Sequence, residues 1–367
     1  MTNILYVIDY ITCNSGVCSI AMNYYTKLDT SNFLVDFLCF EEPEEEFKSL
    51  FKSRNSKYYV VGKPILRNFR GFMSRIERFM TDKGNKYDII HVHVPVVAFI
   101  CLKQAKRVGI EKRIIHSHST KGSESFVKAI RNDILNRLGV LYATDYYACS
   151  RAAAEYLFGK KGKKNVLIIP NAIDFFRFKY SETLREQYRA RYGIKGKKVV
   201  GYVARFSPIK NHEFLVKLAE EMDEADVYYL CVGDGPTKER IQDRVREKGL
   251  DNRFIFMEPS SDLRGIYAAM DVFVFPSLAE GFGMVALEAQ ISGLEIIASN
   301  KVSNEARITD RMEFLSLDNV EMWISRIKNS LNNKKDREFD NISFVREQYY
   351  NIEYCVRVLE ESYLNEV

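Results

Sequence analysis

Short apolar segments alternate with amphipathic segments along almost the whole chain, and this alternation restricts the possible fold more than any other feature. The apolar segments, such as Asn3–Asp9 and Lys198–Ala204, are rich in β-branched and aromatic residues and are apolar on both faces. The segments between them, such as Ser19–Leu28 and His212–Glu221, have helical periodicity. The pattern predicts an α/β protein in which helices cover both faces of parallel sheets.

The alternation is interrupted once, by a polar and charged segment between about Phe175 and Lys197. A new apolar strand follows, and a length of 367 residues is sufficient for two packed cores. We therefore predict two Rossmann-like domains that face a central cleft, with a hinge near Ile173–Lys179. Residues 1–175 are assigned to the first domain, residues 176–345 to the second, and residues 346–367 to a C-terminal helix that packs back on the first. Ligands of such sheets bind at the carboxyl ends of the strands.

Composition favours a cytoplasmic enzyme. The sequence has no apolar run of about 18 residues, the length that a membrane-spanning helix needs, and its start does not resemble a secretory signal. Its seven cysteines are dispersed, which is typical of a reducing compartment. A net charge of +5 does not indicate nucleic-acid binding. The basic segments 103–113 and 160–164 are either solvated loops or a peripheral contact with an anionic membrane surface.

The strongest local signal is a pair of cations after the first strand of the second domain. Arg205 and Lys210 follow the predicted strand Lys198–Ala204 and precede the predicted helix His212–Glu221. A helix N-terminus carries partial positive charge, arginine makes forked contacts with phosphate, and lysine adds a point charge. This arrangement suits a diphosphate; the alternative is two solvated surface cations.

Two glutamates flank a glycine-rich turn later in the second domain. Glu280 and Glu288 are eight residues apart, which is about 12 Å along a helix. The acid and base of a glycosidase lie only about 5–9.5 Å apart, so we interpret the two carboxyl groups as separate contacts to one extended ligand. Glu288 suits ribose hydroxyls, and the N–H groups of residues 282–285 suit a phosphate or a sugar hydroxyl. The turn Gly233-Asp234-Gly235-Pro236 also ends a strand, but alone it indicates only a turn.

The first domain offers a glycine and two histidine pairs. Gly16 precedes a predicted helix, where it suits either a phosphate or an ordinary tight turn. His91 with His93, and His116 with His118, each lie on one face of a strand. Such pairs are able to ligate zinc, but no nearby cysteine or carboxylate completes a site. The other reading is one histidine that contacts a sugar while the rest line or support the cleft.

Together these motifs resemble a known enzyme family. Arg205 with Lys210, the Gly233–Pro236 turn, and Glu280 with Glu288 around Glu-Gly-Phe-Gly resemble the donor domain of the retaining family-four glycosyltransferases, which have the GT-B fold. In the first half, Gly16-Val17 resembles the opening loop of that family, and Ile115-His116-Ser117-His118-Ser119 resembles its histidine strand end. Within that family, the sequence most resembles the transferases of bacterial capsule and exopolysaccharide biosynthesis.

The resemblance implies a role for each residue. Arg205 and Lys210 would hold the donor diphosphate and stabilise its charge as it leaves, and Glu280 and His118 would contact the sugar. His118 is preferred to His116 because it is nearer the strand end. The residues that the resemblance assigns to donor binding are Gly16, Gly233, Asp234, Gly281, Phe282, Gly283, Met284, Val285 and Glu288.

The implied activity is retaining, metal-independent transfer of a hexosyl group from a nucleotide-diphosphate sugar, with UDP as the expected nucleotide. The acceptor would be a carbohydrate or a lipid-linked oligosaccharide, and no cofactor is implied. Departures from the family pattern at Ser15, Glu258 and Glu295 leave base and sugar preference open. The alternatives are a non-catalytic scaffold for another transferase and a nucleotide-sugar epimerase. An NAD-dependent dehydrogenase is disfavoured because the chain lacks G-x-G-x-x-G.

Overall fold

The computed structural model describes residues 1–12, 15–65, 68–118, 126–159, 165–222, 224–259, 262–280, 283–333, 336–337 and 350–364, with side chains left out at 126–130. The chain divides into two compact units. The first comprises Met1–Ile173 with Gln348–Val367, and the second comprises Asp174–Glu347. Each unit is built on one parallel sheet, as the alternation of strands and helices predicts.

The first unit contains a seven-stranded sheet in the order β3-β2-β1-β4-β5-β6-β7. Its strands are β1 (Thr2–Val7), β2 (Phe33–Cys39), β3 (Tyr58–Val60), β4 (Ile89–Val92), β5 (Lys112–Ser117), β6 (Asp145–Ala148) and β7 (Val166–Ile168). Its connecting helices are α1 (Gly16–Lys27), α2 (Glu45–Ser53), α3 (Phe69–Lys83), α4 (Pro95–Arg107), α5 (Phe126–Val140) and α6 (Arg151–Phe158). The central strands β1 and β4 are buried on both faces, which explains their continuous apolar sequence.

The second unit contains a six-stranded sheet in the order β10-β9-β8-β11-β12-β13. Its strands are β8 (Lys198–Val203), β9 (Val227–Val232), β10 (Phe254–Met257), β11 (Val272–Phe275), β12 (Glu295–Ser299) and β13 (Met312–Leu315). Its helices are α7 (Phe175–Phe178), α8 (Glu182–Arg191), α9 (His212–Glu221), α10 (Lys238–Glu247), α11 (Arg264–Ala269), α12 (Met284–Ile291) and α13 (Val320–Asn332). The strand order reverses between β8 and β11, where sheets of this type bind ligands.

The C-terminal helix α14 (Ile352–Leu364) belongs to the first unit, and its predicted return there is confirmed. It packs on α1, where Lys27 and Glu353 form an ion pair at 2.9 Å and the N–H of Asp29 donates to Glu360 at 2.8 Å. Ser362 accepts a hydrogen bond from Tyr147 at 2.9 Å, so the end of the helix also contacts the sheet.

The polar segment between the two units is not an extended linker. It forms α7 and α8, and Ser181 caps α8 by accepting a hydrogen bond from the N–H of Leu184 at 3.3 Å. Arg185 and Arg189 of α8 are buried and both pair with Asp271, at 2.5 and 2.6 Å. Strand β13 was not predicted from the sequence, because it is only four residues long and Glu313 interrupts its apolar residues. The predicted helical tail begins at Ile352 in the described chain, and residues 342–349 lie outside it.

None of the helices in the described part of the chain combines the length and the apolar character that crossing a bilayer requires.

Candidate functional site

The loop after β8 presents the two predicted cations at the carboxyl edge of the second sheet. A short 3-10 turn, Pro208–Lys210, leads to Asn211, whose φ of 56° is left-handed, and α9 then begins. Asn211 donates from its side chain to the carbonyl of Pro276 at 3.1 Å, and the N–H of Leu278 donates to the carbonyl of Ile209 at 2.8 Å. These bonds fasten the loop after β8 to the loop after β11.

Lys210 is thereby brought against Glu280, and the two side chains form a partly buried ion pair. The Tyr202 hydroxyl donates to the Lys210 carbonyl at 2.7 Å and so holds the backbone that carries this lysine. Arg205, at the start of the same loop, is exposed and has no ion pair with any residue that the structure describes. Of these two cations, Lys210 is neutralised by Glu280, whereas Arg205 has no ion-pair partner among the described residues.

Gly233 and Gly235 allow the loop after β9 to pack directly on the loop that carries Arg205. Their φ angles are 145° and 148°, and a Cβ on them would lie 2.1 Å from the Ala204 carbonyl oxygen and 2.3 Å from that of Phe206. The N–H of Phe206 donates to the carbonyl of Asp234 at 2.8 Å. The sequence indicated only a sharp turn here; close contact between two backbones is the reason for both glycines. The side chain of Asp234 is exposed.

Glu288 lies in α12 and faces a tyrosine rather than the Lys210–Glu280 pair. The Tyr267 hydroxyl donates to its carboxylate at 2.7 Å, and burial of the carboxyl group raises the pKa of Glu288 to about 7. Gly283 caps α12 with a φ of 76°, where a Cβ would lie 2.8 Å from the ring of Phe275.

The predicted donor-binding residues Met284 and Val285 form the first turn of α12, where a helix leaves its N–H groups without partners of its own. The predicted residues Gly281 and Phe282 lie outside the described residues.

His212 is a residue at this edge that the sequence analysis did not single out. It is buried, its ring stacks on Phe206 with centroids 3.9 Å apart, and burial lowers its pKa to about 3. Neither ring nitrogen has a hydrogen-bond partner in the described part of the chain. The sequence feature that could have identified His212 is its position two residues after Lys210.

In the first unit, Gly16 is the first residue of α1, and Ser15 caps that helix by accepting from the N–H of Cys18 at 3.3 Å. Among the described residues, no heavy atom lies within 4 Å of the position that a Cβ at Gly16 would take, so these residues leave the helix N-terminus open at this point. The preceding residues Cys13 and Asn14 lie outside the described residues.

Four of the five histidines form one array at the ends of β4 and β5. His91 stacks on His93 and His116 stacks on His118, with ring centroids 4.1 and 4.0 Å apart. Hydrogen bonds of 3.0 Å join His91 Nε2 to His116 Nδ1, and His93 Nδ1 to His118 Nε2. Burial lowers the pKa of all four imidazoles, and that of His118 to about 4, so the array is neutral at pH 7.

The array resembles a hydrogen-bonded network more than a metal site. Ligand nitrogens of His91, His93 and His116 lie within 4.8 Å of one another, close enough to be considered for a metal ion. However, His91 and His116 direct their facing nitrogens at each other, and the stacked His91 and His93 rings are nearly parallel, with 20° between their planes. Zinc ligands instead direct their lone pairs at one common point with tetrahedral geometry.

Both halves of the chain match glycosyltransferase families. Residues 15–177 match the family described as Glycosyltransferase Family 4, and residues 185–340 match the family described as Glycosyl transferases group 1. Together with the two parallel-sheet units, these matches identify the chain as a glycosyltransferase with the GT-B fold.

Individual relatives extend this identification over most of the chain. EpsF of Bacillus subtilis (strain 168), whose name describes a glycosyltransferase, is 29% identical over 79% of this chain and 77% of its own. The UDP-Gal:alpha-D-GlcNAc-diphosphoundecaprenol alpha-1,3-galactosyltransferase of Escherichia coli is 24% identical over 85% of this chain and 84% of its own. The crystal structure of Anabaena HepE in complex with UDP and glucose matches with a TM-score of 0.77 at 17% identity, over 99% of both chains.

Proposed function

We propose that this glycosyltransferase transfers a hexosyl group, with retention of configuration and without a metal ion, from a nucleotide-diphosphate sugar to a carbohydrate or lipid-linked oligosaccharide acceptor. The observation that carries the proposal is the group of charges at the edge of the second sheet. There, Lys210 is paired with Glu280 while Arg205 on the same loop is exposed. We assign donor binding to the second unit and the acceptor side to the first.

The donor diphosphate would exchange for Glu280 as the partner of Lys210. The ligand-free pair keeps the lysine ammonium at the strand end, and the diphosphate offers it a stronger negative charge. Arg205 would add a forked contact to the same phosphates. Because two preorganised cations are available, charge on the departing diphosphate is stabilised without a divalent ion.

The ribose and the sugar of the donor would bind along the same edge of the second sheet. Glu288 would accept hydrogen bonds from the ribose hydroxyls, and Gly233 and Asp234 would line the adjoining loop. Glu280, once released from Lys210, would bind the donor sugar. The backbone N–H groups of Gly281, Phe282, Gly283, Met284 and Val285 would complete its contacts. In the first unit, the open helix N-terminus at Gly16 would receive a phosphate, and His118 would contact the sugar.

Retention requires the acceptor to approach from the face that the diphosphate leaves. The bond between the anomeric carbon and the phosphate oxygen breaks, and the acceptor oxygen forms the new bond to that carbon. The proton of the acceptor hydroxyl passes to a phosphate oxygen of the leaving group. This route needs no carboxylate base, so in the proposed complex Glu280 is left to bind the donor sugar and Glu288 to bind the ribose.

The relatives support a more specific substrate. HepE binds UDP and glucose, and the Escherichia coli relative is named for a UDP-linked donor and a diphosphoundecaprenol acceptor. We therefore propose a UDP-linked hexose as donor and a role in cell-surface polysaccharide synthesis, of the capsular or exopolysaccharide kind. A cytoplasmic location, with peripheral contact between the basic segments 103–113 and 160–164 and an anionic membrane, belongs to the same proposal. Most of segment 103–113 lies in α4 and β5, and residues 160–164 lie outside the described residues. No cofactor and no nucleic acid are required.

Substitution of the two cations tests this proposal. Lys210→Ala and Arg205→Ala should each lower the rate of UDP release from a UDP-hexose and a membrane extract by about 10²–10³-fold, because each removes a charge that stabilises the leaving group. Lys217→Ala, which removes an exposed lysine from α9, is the matched control and should keep the wild-type rate. Near-wild-type turnover by Lys210→Ala would contradict the assignment.

The same assay separates the alternatives. A scaffold would release no UDP with any donor, and an epimerase would convert the donor sugar in the absence of an acceptor. With a donor labelled in its sugar, a transferase releases one UDP for each labelled sugar that appears on the extracted acceptor.

A further inference from the structure

A buried chain of hydrogen bonds runs from the first strand of the first unit through the C-terminal helix to the histidine array. The hydroxyl groups of Tyr6 and Tyr363 are 2.8 Å apart, and Tyr363 lies 2.7 Å from His91 Nδ1. His91 Nε2 in turn lies 3.0 Å from His116 Nδ1. All four residues are buried, so bulk water does not contact these bonds.

Counting protons gives the direction of this chain. Each tyrosine hydroxyl has one hydrogen, and each neutral imidazole has one N–H. If Tyr6 donates to Tyr363 and Tyr363 donates to His91 Nδ1, then His91 donates through Nε2 to His116. In this direction one donor remains without an acceptor, the N–H at His116 Nε2. That nitrogen indeed has no hydrogen-bond partner among the described residues.

The opposite direction leaves more groups unsatisfied. If His116 donated to His91 and His91 to Tyr363, then Tyr363 would donate to Tyr6. The Tyr6 hydroxyl hydrogen would have no acceptor among the described residues, and the lone pair of His116 Nε2 would also be unpaired. Buried polar groups without partners are costly, so the first direction is favoured. The count applies because burial lowers the pKa of His91 and His116 and keeps both rings neutral.

The orientation of His116 bears directly on His118. Their rings stack with 26° between their planes, and His118 is held from its other side by the 3.0 Å bond to His93. His93 stacks in turn on His91, which receives the Tyr363 hydrogen bond. A change in the tautomer or tilt of His91 therefore reaches His118 along both stacks.

We propose that Tyr363 is a positioning residue: by donating to His91 Nδ1 it fixes His91 and His116 as Nε2–H tautomers and holds the ring of His118. The C-terminal helix α14 thus orients the proposed sugar-contacting histidine of the first unit. The expected effect on sugar transfer rests on the proposed function, whereas the expected tautomers of His91 and His116 are independent of it.

The tautomers are measured by nitrogen NMR on protein labelled with ¹⁵N-histidine. Only five histidines contribute, and single His→Gln variants assign them. We expect His91 and His116 to give the Nε2–H pattern in the wild type and to lose it, or mix it with the other tautomer, in Tyr363→Phe. His212 is the internal standard and should not change. Tyr25→Phe is the matched control, because its buried hydroxyl bonds to Ser56 and not to the array.

An Nδ1–H pattern at His116 in the wild type would overturn the proposal, even if Tyr363→Phe failed to fold. An unchanged pattern in a folded Tyr363→Phe protein would also overturn it.

Kinetics test the positioning of His118. Tyr363→Phe should raise the KM for the UDP-hexose about threefold to tenfold, a change that corresponds in free energy to the loss of one hydrogen bond. Tyr25→Phe should leave this KM unchanged. An altered tautomer with an unaltered KM would contradict the positioning role. If the wild type transferred no sugar, the proposed function would fail while the NMR result still decided the tautomers.

Discussion

Glu288 is the residue whose protonation state most directly affects the proposed donor site. Burial raises the pKa of its carboxyl group to about 7, and the Tyr267 hydroxyl bond only partly offsets this effect. A ribose hydroxyl donates best to an ionised carboxylate, so donor binding favours the deprotonated form. Affinity for a UDP-hexose should therefore be full above pH 8 and fall as the pH drops through 7, by up to about tenfold per pH unit.

Calorimetric titration of UDP-hexose from pH 5.5 to 8.5 measures this dependence. The diphosphate diester of the donor stays ionised over the range, so the ligand adds no titration of its own. Glu288→Gln carries a neutral side chain at every pH and should bind weakly without the pH step. Equal affinities of the wild type at pH 6 and pH 8 would contradict the prediction that Glu288 binds the donor as a carboxylate with a raised pKa.

Residues at strand ends are the part of the proposed donor site that the sequence indicates most directly. Arg205 and Lys210 were singled out because cations directly after a buried strand have no role in a sheet core. The Lys210–Glu280 pair was not foreseen, since it depends on how two loops 70 residues apart fasten to each other. The close packing of Gly233 on Ala204 was equally invisible in the sequence, because a glycine alone does not reveal which backbone approaches it.

At the scale of single elements, α8 is attached to the second sheet by buried charges. Asp271 accepts hydrogen bonds from Arg185 at 2.5 Å, from Arg189 at 2.6 Å and from the N–H of Val199 at 2.8 Å. The two arginines also donate to the carbonyls of residues 268–270 at the end of α11. Asp271 thus joins α8 to β8, and its two arginine partners also join α8 to the end of α11.

Asp271→Asn should lower the free energy of unfolding of the second unit by about 3–5 kcal/mol, because it leaves two buried guanidinium groups without their counter-charge. Urea denaturation followed by tryptophan fluorescence measures it, since Trp323 lies in α13 of this unit. Asp226→Asn removes an exposed partner of Lys198 and should cost less than about 1 kcal/mol. Equal losses in the two variants would contradict the structural role of Asp271.

From sequence alone, this region is predicted only as the interruption between two domains. Arg185 and Arg189 are four residues apart and share one face of α8, but a charged residue is ordinarily assumed to be solvated. The arginines are buried because they pair with Asp271, which is 86 residues from Arg185. Helical spacing was visible in the sequence, whereas a distant counter-charge was not.

For the molecule as a whole, the repeated strand–helix pattern was sufficient to predict two parallel-sheet units. The return of the C-terminal helix was predicted separately, from the helical pattern of the tail. The strand order within each sheet required the structure, because apolar runs such as β1 and β4 are alike in sequence. The histidine array likewise depends on β4 and β5 being neighbours, which their separate histidine pairs did not reveal. Because β4 and β5 pair, the two histidine pairs form one buried network, which includes Tyr363.

The most direct test of the account is a crystal structure of the protein with bound UDP. The diphosphate should lie within hydrogen-bond distance of Arg205 and Lys210, the Lys210–Glu280 pair should be opened, and the ribose should contact Glu288. A nucleotide bound elsewhere, with Arg205 in bulk solvent and Lys210 still paired with Glu280, would contradict the proposed donor site.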